Sequence, residues 1–231
     1  MVRRSRSSSP TRADVVLGLI RAEILNGRLP PGSRLGFTDL GRRYAVSTGV
    51  LREVFPRLVE QGLATTEAQL GFRVIDVSVE RLSQLTEARV AIDTLITRQA
   101  VARGDIAWEA EVVAKHHALA RIGDEAASSE DVSEEWLAAH EAFHIAILNG
   151  CGNAYLVETA ARLRSIAEVY RCWSWPEQNR THRDIAGEHR DIMEAAIARD
   201  ADLAAKLTET HIRRTTELLI SARTAADQPA P

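Results

Sequence analysis

Residues 35–74, LGFTDLGRRYAVSTGVLREVFPRLVEQGLATTEAQLGFRV, pack two helix patterns and a hairpin pattern into one short run. Ser47 stands in N-cap position before a helix whose Val50/Leu51, Val54, Leu58 and Val59 recur at i, i+3/i+4 and i+7/i+8. Ahead of it, a shorter helix from Thr38 to Tyr44 turns Leu40 and Tyr44 inward, and Ala45-Val46 makes the tight turn between the two. Gly62 closes the second helix as a C′ glycine, after which residues 63–67 and 72–76 flank Ala68-Gln69-Leu70-Gly71 as a β-hairpin. Helix, tight turn, helix and hairpin in that order predict a winged helix-turn-helix. The outward face of the second helix offers Thr48, Arg52 and Arg57. A hydroxyl and a guanidinium near the start of such a helix reach base edges in the major groove. The pattern therefore predicts a reader of double-stranded DNA, with Arg52 foremost and Gln69 on the wing. Pro56 removes the hydrogen bond to the Arg52 carbonyl and is expected to kink the helix.

Charge follows the same division. Residues 1–76 hold 12 Lys/Arg and 7 Asp/Glu, a net of +5, whereas the remainder carries −8, for −3 overall. Neutralisation of phosphates by Lys and Arg supplies most non-specific DNA affinity, so the basic part fits a polyanion and the acidic part does not. Residues 1–10, with Arg3, Arg4, Arg6 and a Ser-Ser-Ser-Pro run, are expected to be a disordered arm. No apolar stretch approaches the ~18 residues that cross a bilayer, and no signal-peptide core follows Met1, so the expectation is a soluble, cytoplasmic protein with no membrane partner. Cys151 and Cys172 lack Cys-x-x-Cys spacing, which argues against a disulfide scaffold or thiolate metal site.

After Asp76 the pattern is helical only. Ser78 caps a run with Leu82, Leu85, Arg89, Ile92 and Leu95/Ile96 at helical spacing, ending near Gly104. Further runs cover about 106–122, 133–148, 153–173, 177–199 and 201–222. Six helices predict an antiparallel bundle with its own core. The expected organisation is an arm (1–10), a winged helix-turn-helix (11–76), a helical effector-binding and dimerisation domain (77–223) and a disordered tail (224–231), with almost no linker at 76–80. The fold class is thus mainly α, with a small β-hairpin wing.

The sharpest chemical pattern in the bundle is His140-Glu141-Ala142-Phe143-His144. It matches H-E-x-x-H, in which two His at i and i+4 hold zinc and the Glu serves as general base. That supports a zinc-dependent hydrolase with an appended DNA-binding domain as the alternative reading. Against it, His140 and His144 lie on an apolar stripe with Trp136, Phe143 and Ile147. His189 lies among Ile185, Ile192 and Ala196, and His211 among Leu203, Leu207 and Leu218. Four inward histidines on three helices favour a shared metal site, with His182 as a substitute member and His116 and His117 on a helix surface. Arg89 also falls on an inward stripe. There it is either an anion anchor or half of a buried ion pair with Asp93 or Glu141.

Two stretches resemble a known family. The motifs Leu29-Pro-Pro-Gly-Ser-Arg-Leu35, Val46-Ser47, Leu51-Arg52-Glu53, Gly62-Leu63 and Gly71-Phe-Arg-Val74 are similar to the N-terminal domain of GntR-family transcriptional regulators. Glu87-x-Arg89-x-x-x-Asp93, Phe143-His144, Asn149-Gly-x-Gly-Asn153, Glu188-His189-x-x-Ile192 and His211 resemble the FCD effector domain of the FadR-type subfamily. The resemblance implies that Arg52 and Ser47/Thr48 touch bases, Arg34 touches phosphate and Gly71 enters the minor groove. It departs at Thr48, where Arg is usual. It further implies one divalent metal per subunit, held through His144, His189 and His211, with His140 where the family has Asp. A metal-bound carboxylate effector is implied as well. An imidazole in place of a carboxylate raises the charge of the site, favouring an anionic effector and zinc, nickel or copper over manganese. Four His can instead close a tetrahedral shell and leave the metal purely structural. The combined expectation is a non-enzymatic regulator, a repressor acting as a homodimer on two-fold-related half-sites, with zinc as first choice of metal and nickel second.

Overall fold

The computed structural model describes residues 10–126, 133–178 and 183–226. The chain divides into two compact units, Met1–Asp76 and Val77–Pro231. Residues 1–9 of the expected arm, the last five of the expected tail and His182 lie outside the described residues.

The first unit opens with α1 (Arg12–Leu25), started by a capping box. Thr11 Oγ1 accepts from the Asp14 N–H, and the Asp14 carboxylate accepts from the Thr11 N–H at 2.9 Å. Then come β1 (Arg34–Leu35), α2 (Phe37–Arg43), α3 (Thr48–Glu60), β2 (Ala64–Glu67) and β3 (Gly71–Val74). The antiparallel sheet has order β1-β3-β2, with Phe72 opposite both Leu35 and Thr66. Neither α1 nor β1 is among the elements read from the sequence; β1 is only two residues long and exists by pairing with β3. At the end of α3, Gly62 (φ +76°) closes the helix as expected. Its N–H bonds the Val59 carbonyl, and the Leu63 N–H bonds that of Leu58 at 2.9 Å, so both last-turn acceptors are satisfied.

The core of this unit corrects the sequence-derived stripe. The buried residues of α3 are Leu51, Val54, Phe55 and Leu58, while Val50, Val59 and Tyr44 are half-buried. Phe55 is fully enclosed and packs on Phe37 at 4.8 Å and on Phe72 at 5.2 Å between ring centroids. Three aromatics from α2, α3 and β3 thus tie the two helices to the wing, adding ring–ring attraction to their area burial. Pro56 is exposed, and α3 continues through it.

The second unit is a six-helix bundle of α4 (Val79–Arg103), α5 (Ile106–Ala126), α6 (Glu134–Asn149), α7 (Ala154–Gln178), α8 (Ile185–Ile197) and α9 (Ala201–Ala226). The expected helix 177–199 is shorter. α7 runs to Gln178, and Asp184, whose carboxylate accepts the Gly187 N–H at 2.7 Å, starts α8 afresh. α9 also runs beyond residue 223, where the bundle was expected to end. Its buried face is Ala204, Ala205, Thr208, His211, Ile212 and Leu219, whereas Leu203 is 45% exposed and Leu207 and Leu218 are half-buried. Small residues occupy the seam because they let α9 approach its neighbours closely. Hydrophobicity alone points to the leucines.

Phe55→Ala is expected to destabilise the first unit by about 3–5 kcal/mol, the range for deleting a large core aromatic. Urea unfolding of the variant, followed by a probe in the first unit, checks this.

Candidate functional site

On α3, Ser47 caps the helix, its Oγ accepting from the Val50 N–H at 3.5 Å, and Thr48 and Arg52 are exposed on the N-terminal half. Arg57 was expected on the same outward face. Its side chain is 41% exposed there, and the guanidinium also pairs with Asp14 of α1 at 2.9 Å. Arg34 is exposed on β1. Gly71 (φ +92°) is the first residue of β3, opposite Glu67, and not a tip residue. The tip is Ala68-Gln69-Leu70, closed by the Leu70 N–H on the Glu67 carbonyl at 3.1 Å. Gln69 takes the left-handed conformation there (φ +63°) and is exposed. That conformation is uncommon outside glycine and commits Gln69 to the turn.

In the bundle, α6 supplies His140 and His144, α8 supplies His189 and α9 supplies His211. One ring nitrogen from each of the four lies within 4.8 Å of the others, and all four rings are buried. They meet because His140 and His144 are one turn apart on α6, while Ile192 and Ala196 of α8 and Ile212 of α9 bury the flanking turns. Burial pushes every one of them toward the neutral form: His140, His144 and His189 fall well below the ordinary histidine range. His211 falls to about 4 because burial outweighs its bond to Glu188. Neutral imidazoles keep lone pairs available to a metal.

The donor set fits a divalent cation. His189 Nε2 is buried with no hydrogen-bond partner among the described residues, a costly state in an interior that a metal would relieve. His140 is differently placed. Arg171 of α7 sits 3.0 Å from its Nδ1 and 3.3 Å from its Nε2, and the His144 Nε2 is 3.2 Å away. The His140 ring also stacks on Trp136 at 4.7 Å, over which the Arg171 guanidinium lies at 5.1 Å. His116, expected on a surface, is half-buried with its ring 5.5 Å from that of Phe143; His117 is exposed.

Beside the cluster lies a cavity of about 30 Å³ lined by His140, His211, Arg89, Arg164, Arg171 and Glu168, with Leu82, Leu85, Ile212 and Leu219 as apolar wall. Arg89 is paired with Asp93, but at 3.5 Å, and Arg164 approaches the same carboxylate at 3.6 Å. Among the described residues, neither oxygen of Asp93 is hydrogen-bonded, nor is Nε of Arg89 or of Arg164. Glu168 pairs with Arg171. Three guanidiniums thus face two carboxylates, and burial beside Arg89 lowers Arg164 to about 10. Arg164, Glu168 and Arg171 escaped the sequence reading. Their i, i+4, i+7 spacing on one helix was the available signal.

Residues 12–74 match the family model "Bacterial regulatory proteins, gntR family", and residues 84–214 match the FCD domain. The chain belongs to the GntR family of bacterial transcriptional regulators. Among GntR-type relatives it is 34% identical to the HTH-type transcriptional repressor GlaR of Escherichia coli (strain K12), over 84% of this chain and 89% of GlaR. It is 36% identical to BphR, an uncharacterized HTH-type transcriptional regulator of Paraburkholderia xenovorans (strain LB400), over 84% of this chain and 79% of BphR. The solved structure of E. coli McbR/YncC shares the fold, with a TM-score of 0.73 at 19% identity, over 91% of this chain and 98% of that one. The peptidase alternative finds no support in this membership: a GntR-type protein is a regulator, and the H-E-x-x-H spacing arises from two members of a four-histidine cluster. Among the described residues no helix is long and apolar enough to cross a membrane.

The depressed histidine pKa values set a pH dependence. The unfolded chain takes up protons on these histidines near pH 6.5 and the folded chain does not, so stability is full above about 6.5 and falls as pH drops toward the folded values. The melting temperature of metal-free protein is expected to fall between pH 7 and pH 5, and His211→Gln to show a shallower fall. Equal slopes in the two proteins contradict this assignment.

Proposed function

We propose that this GntR regulator is a repressor of the FadR-type branch, binding as a homodimer to two-fold-related half-sites, with an operator affinity set by a small organic anion bound beside a divalent metal. The observation that carries this reading is the common cavity: His140 and His211, two members of the neutral histidine cluster, open onto the same space as Arg89, Arg164 and Arg171. His144, His189 and His211 would hold the ion, with His140 as fourth ligand once Arg171 yields its ring. Zinc is the first choice and nickel the second. A bound ion supplies a positive centre for a carboxylate oxygen. Arg89, with Arg164 and Arg171, supplies forked donors for the remaining anionic group. The apolar wall accepts a short carbon skeleton. The free volume, about 30 Å³, holds little more than ordered water, so an effector must displace side chains to enter. Only an effector that binds one arrangement of the protein more tightly than another changes DNA affinity.

On DNA, Arg52 and Thr48 would read bases, Ser47 would combine capping with a base or phosphate contact, and Arg34 and Gln69 would meet the backbone and the minor groove, with Gly71 behind the wing tip. Arg57, 41% exposed on the same helix, would join this set while paired with Asp14.

Arg52→Ala is expected to cost about 1–3 kcal/mol on the operator and relax base preference, whereas Arg34→Ala weakens all sequences alike and lowers the salt slope. Binding isotherms at several salt concentrations separate the two; an Arg52→Ala variant with unchanged operator affinity removes α3 as the reading helix.

Elemental analysis is expected to find one divalent metal per chain, and chelation to lower the melting temperature, since a ligand bound only by the folded state stabilises it. A thermal-shift screen of organic acids on metal-loaded protein should give hits that Arg89→Ala weakens and that alter operator binding. Hits that stabilise both proteins equally exclude Arg89 from the site.

A further inference from the structure

Glu188 precedes the candidate ligand His189 on α8, yet its carboxylate points to α9. Glu188 Oε2 lies 2.8 Å from His211 Nδ1. Arg183 grips the same carboxylate, Nε donating to Oε1 at 2.8 Å and Nη2 to Oε2 at 2.5 Å. Arg214 adds a contact to Oε1 at 3.2 Å. Arg183 is itself anchored on α9, through the His211 carbonyl at 3.1 Å and the Thr215 hydroxyl at 3.0 Å. The Glu188 side chain is only 13% exposed and that of His211 8%, so water does not substitute freely in this bond.

A neutral imidazole has one N–H and one lone pair. The Glu188 carboxylate, an acceptor, lies at 2.8 Å from Nδ1 and so closer than the Arg183 Nη2 donor at 3.4 Å, which assigns the His211 proton to Nδ1 and the lone pair to Nε2. We infer that Glu188 is the positioning residue of the histidine cluster: it locks His211 in the Nδ1–H tautomer and fixes the ring so that Nε2 is the nitrogen presented for coordination. Helix α8 then contributes twice from successive residues, His189 as a ligand and Glu188 as the group that orients the ligand on α9. Arg183, gripping both oxygens, holds the carboxylate in place, whereas Arg214 is 58% exposed and touches only Oε1. The consequence for metal binding rests on the metal reading above, whereas the tautomer does not.

Two measurements on the full chain test this. In metal-free protein, ¹⁵N NMR of the histidine rings is expected to show His211 protonated at Nδ1, and Glu188→Ala to release it toward Nε2–H. A wild-type His211 protonated at Nε2, or a tautomer indifferent to Glu188→Ala, overturns the inference. With Zn²⁺ alone as probe, competition against a chromophoric chelator should show an affinity loss of about tenfold in Glu188→Gln and up to about a hundredfold in Glu188→Ala, the span seen when a partner behind a metal-binding histidine is removed. The visible spectrum of bound Co²⁺ should change with them. Glu188→Gln preserves shape and keeps an acceptor, so it tests the idea even if Glu188→Ala fails to fold. Arg214→Ala, which leaves the Glu188–His211 bond intact, is expected to keep wild-type affinity. Wild-type protein that binds no Zn²⁺ defeats the metal reading and the coordinating role with it. Wild-type binding matched by both Glu188 variants defeats the positioning role alone.

Discussion

Desolvation of charge inside the bundle is the constraint on which the second unit depends. Four imidazoles, three guanidiniums and two carboxylates share an interior walled by leucine, isoleucine and alanine. In such a medium a charge must be neutralised, paired or given up. The histidines give theirs up, as their lowered pKa values record. The arginines cannot, so they draw on Asp93 and Glu168, which do not suffice for three. A fold that sets three buried arginines against two carboxylates, next to unprotonated imidazoles, is poorly arranged for stability alone. It is well arranged to receive a cation on one side and an anion on the other.

The first unit solves a simpler problem. Its helices are short, and α2 at seven residues has no stability of its own. What holds it is the aromatic trio Phe37, Phe55 and Phe72 together with Leu40 and Leu51, which lock α2, α3 and the wing into one body. The buried face of α1, with Val16, Leu17, Ile20 and Ile24, adds that helix to the body. The N-terminal half of α3 is thereby left exposed with Thr48 and Arg52 on it, supported from behind by core contacts and not by the residues that face outward.

Much of this was legible in the sequence, for reasons particular to each element. Ser47, Gly62 and the Leu51/Val54/Leu58 spacing are local signals, set by backbone hydrogen bonding within a few residues, and α3 follows them. The four histidines were readable as inward because each sits on a periodic apolar face. The errors have a common source. Phe55 was overlooked beside Pro56, although its partners Phe37 and Phe72 lie far from it in sequence. Leu203 was favoured over Ala204 because size, not hydrophobicity, decides a close helix seam.

The sequence by itself determined the helix-turn-helix and its wing, the helical character of the second unit, the membership of the family and the identity of the four candidate ligands, because caps, periodicity and motif spacing act over one or two helical turns; α1 and β1 lay beyond it. Tertiary structure alone decided which charges face one another. It brought Arg164, Glu168 and Arg171 of α7 against His140, and the Glu188 carboxylate of α8 against His211 of α9. A side chain's protonation and tautomer depend on neighbours within a few ångströms in space, and those neighbours come from helices whose mutual packing no local pattern encodes.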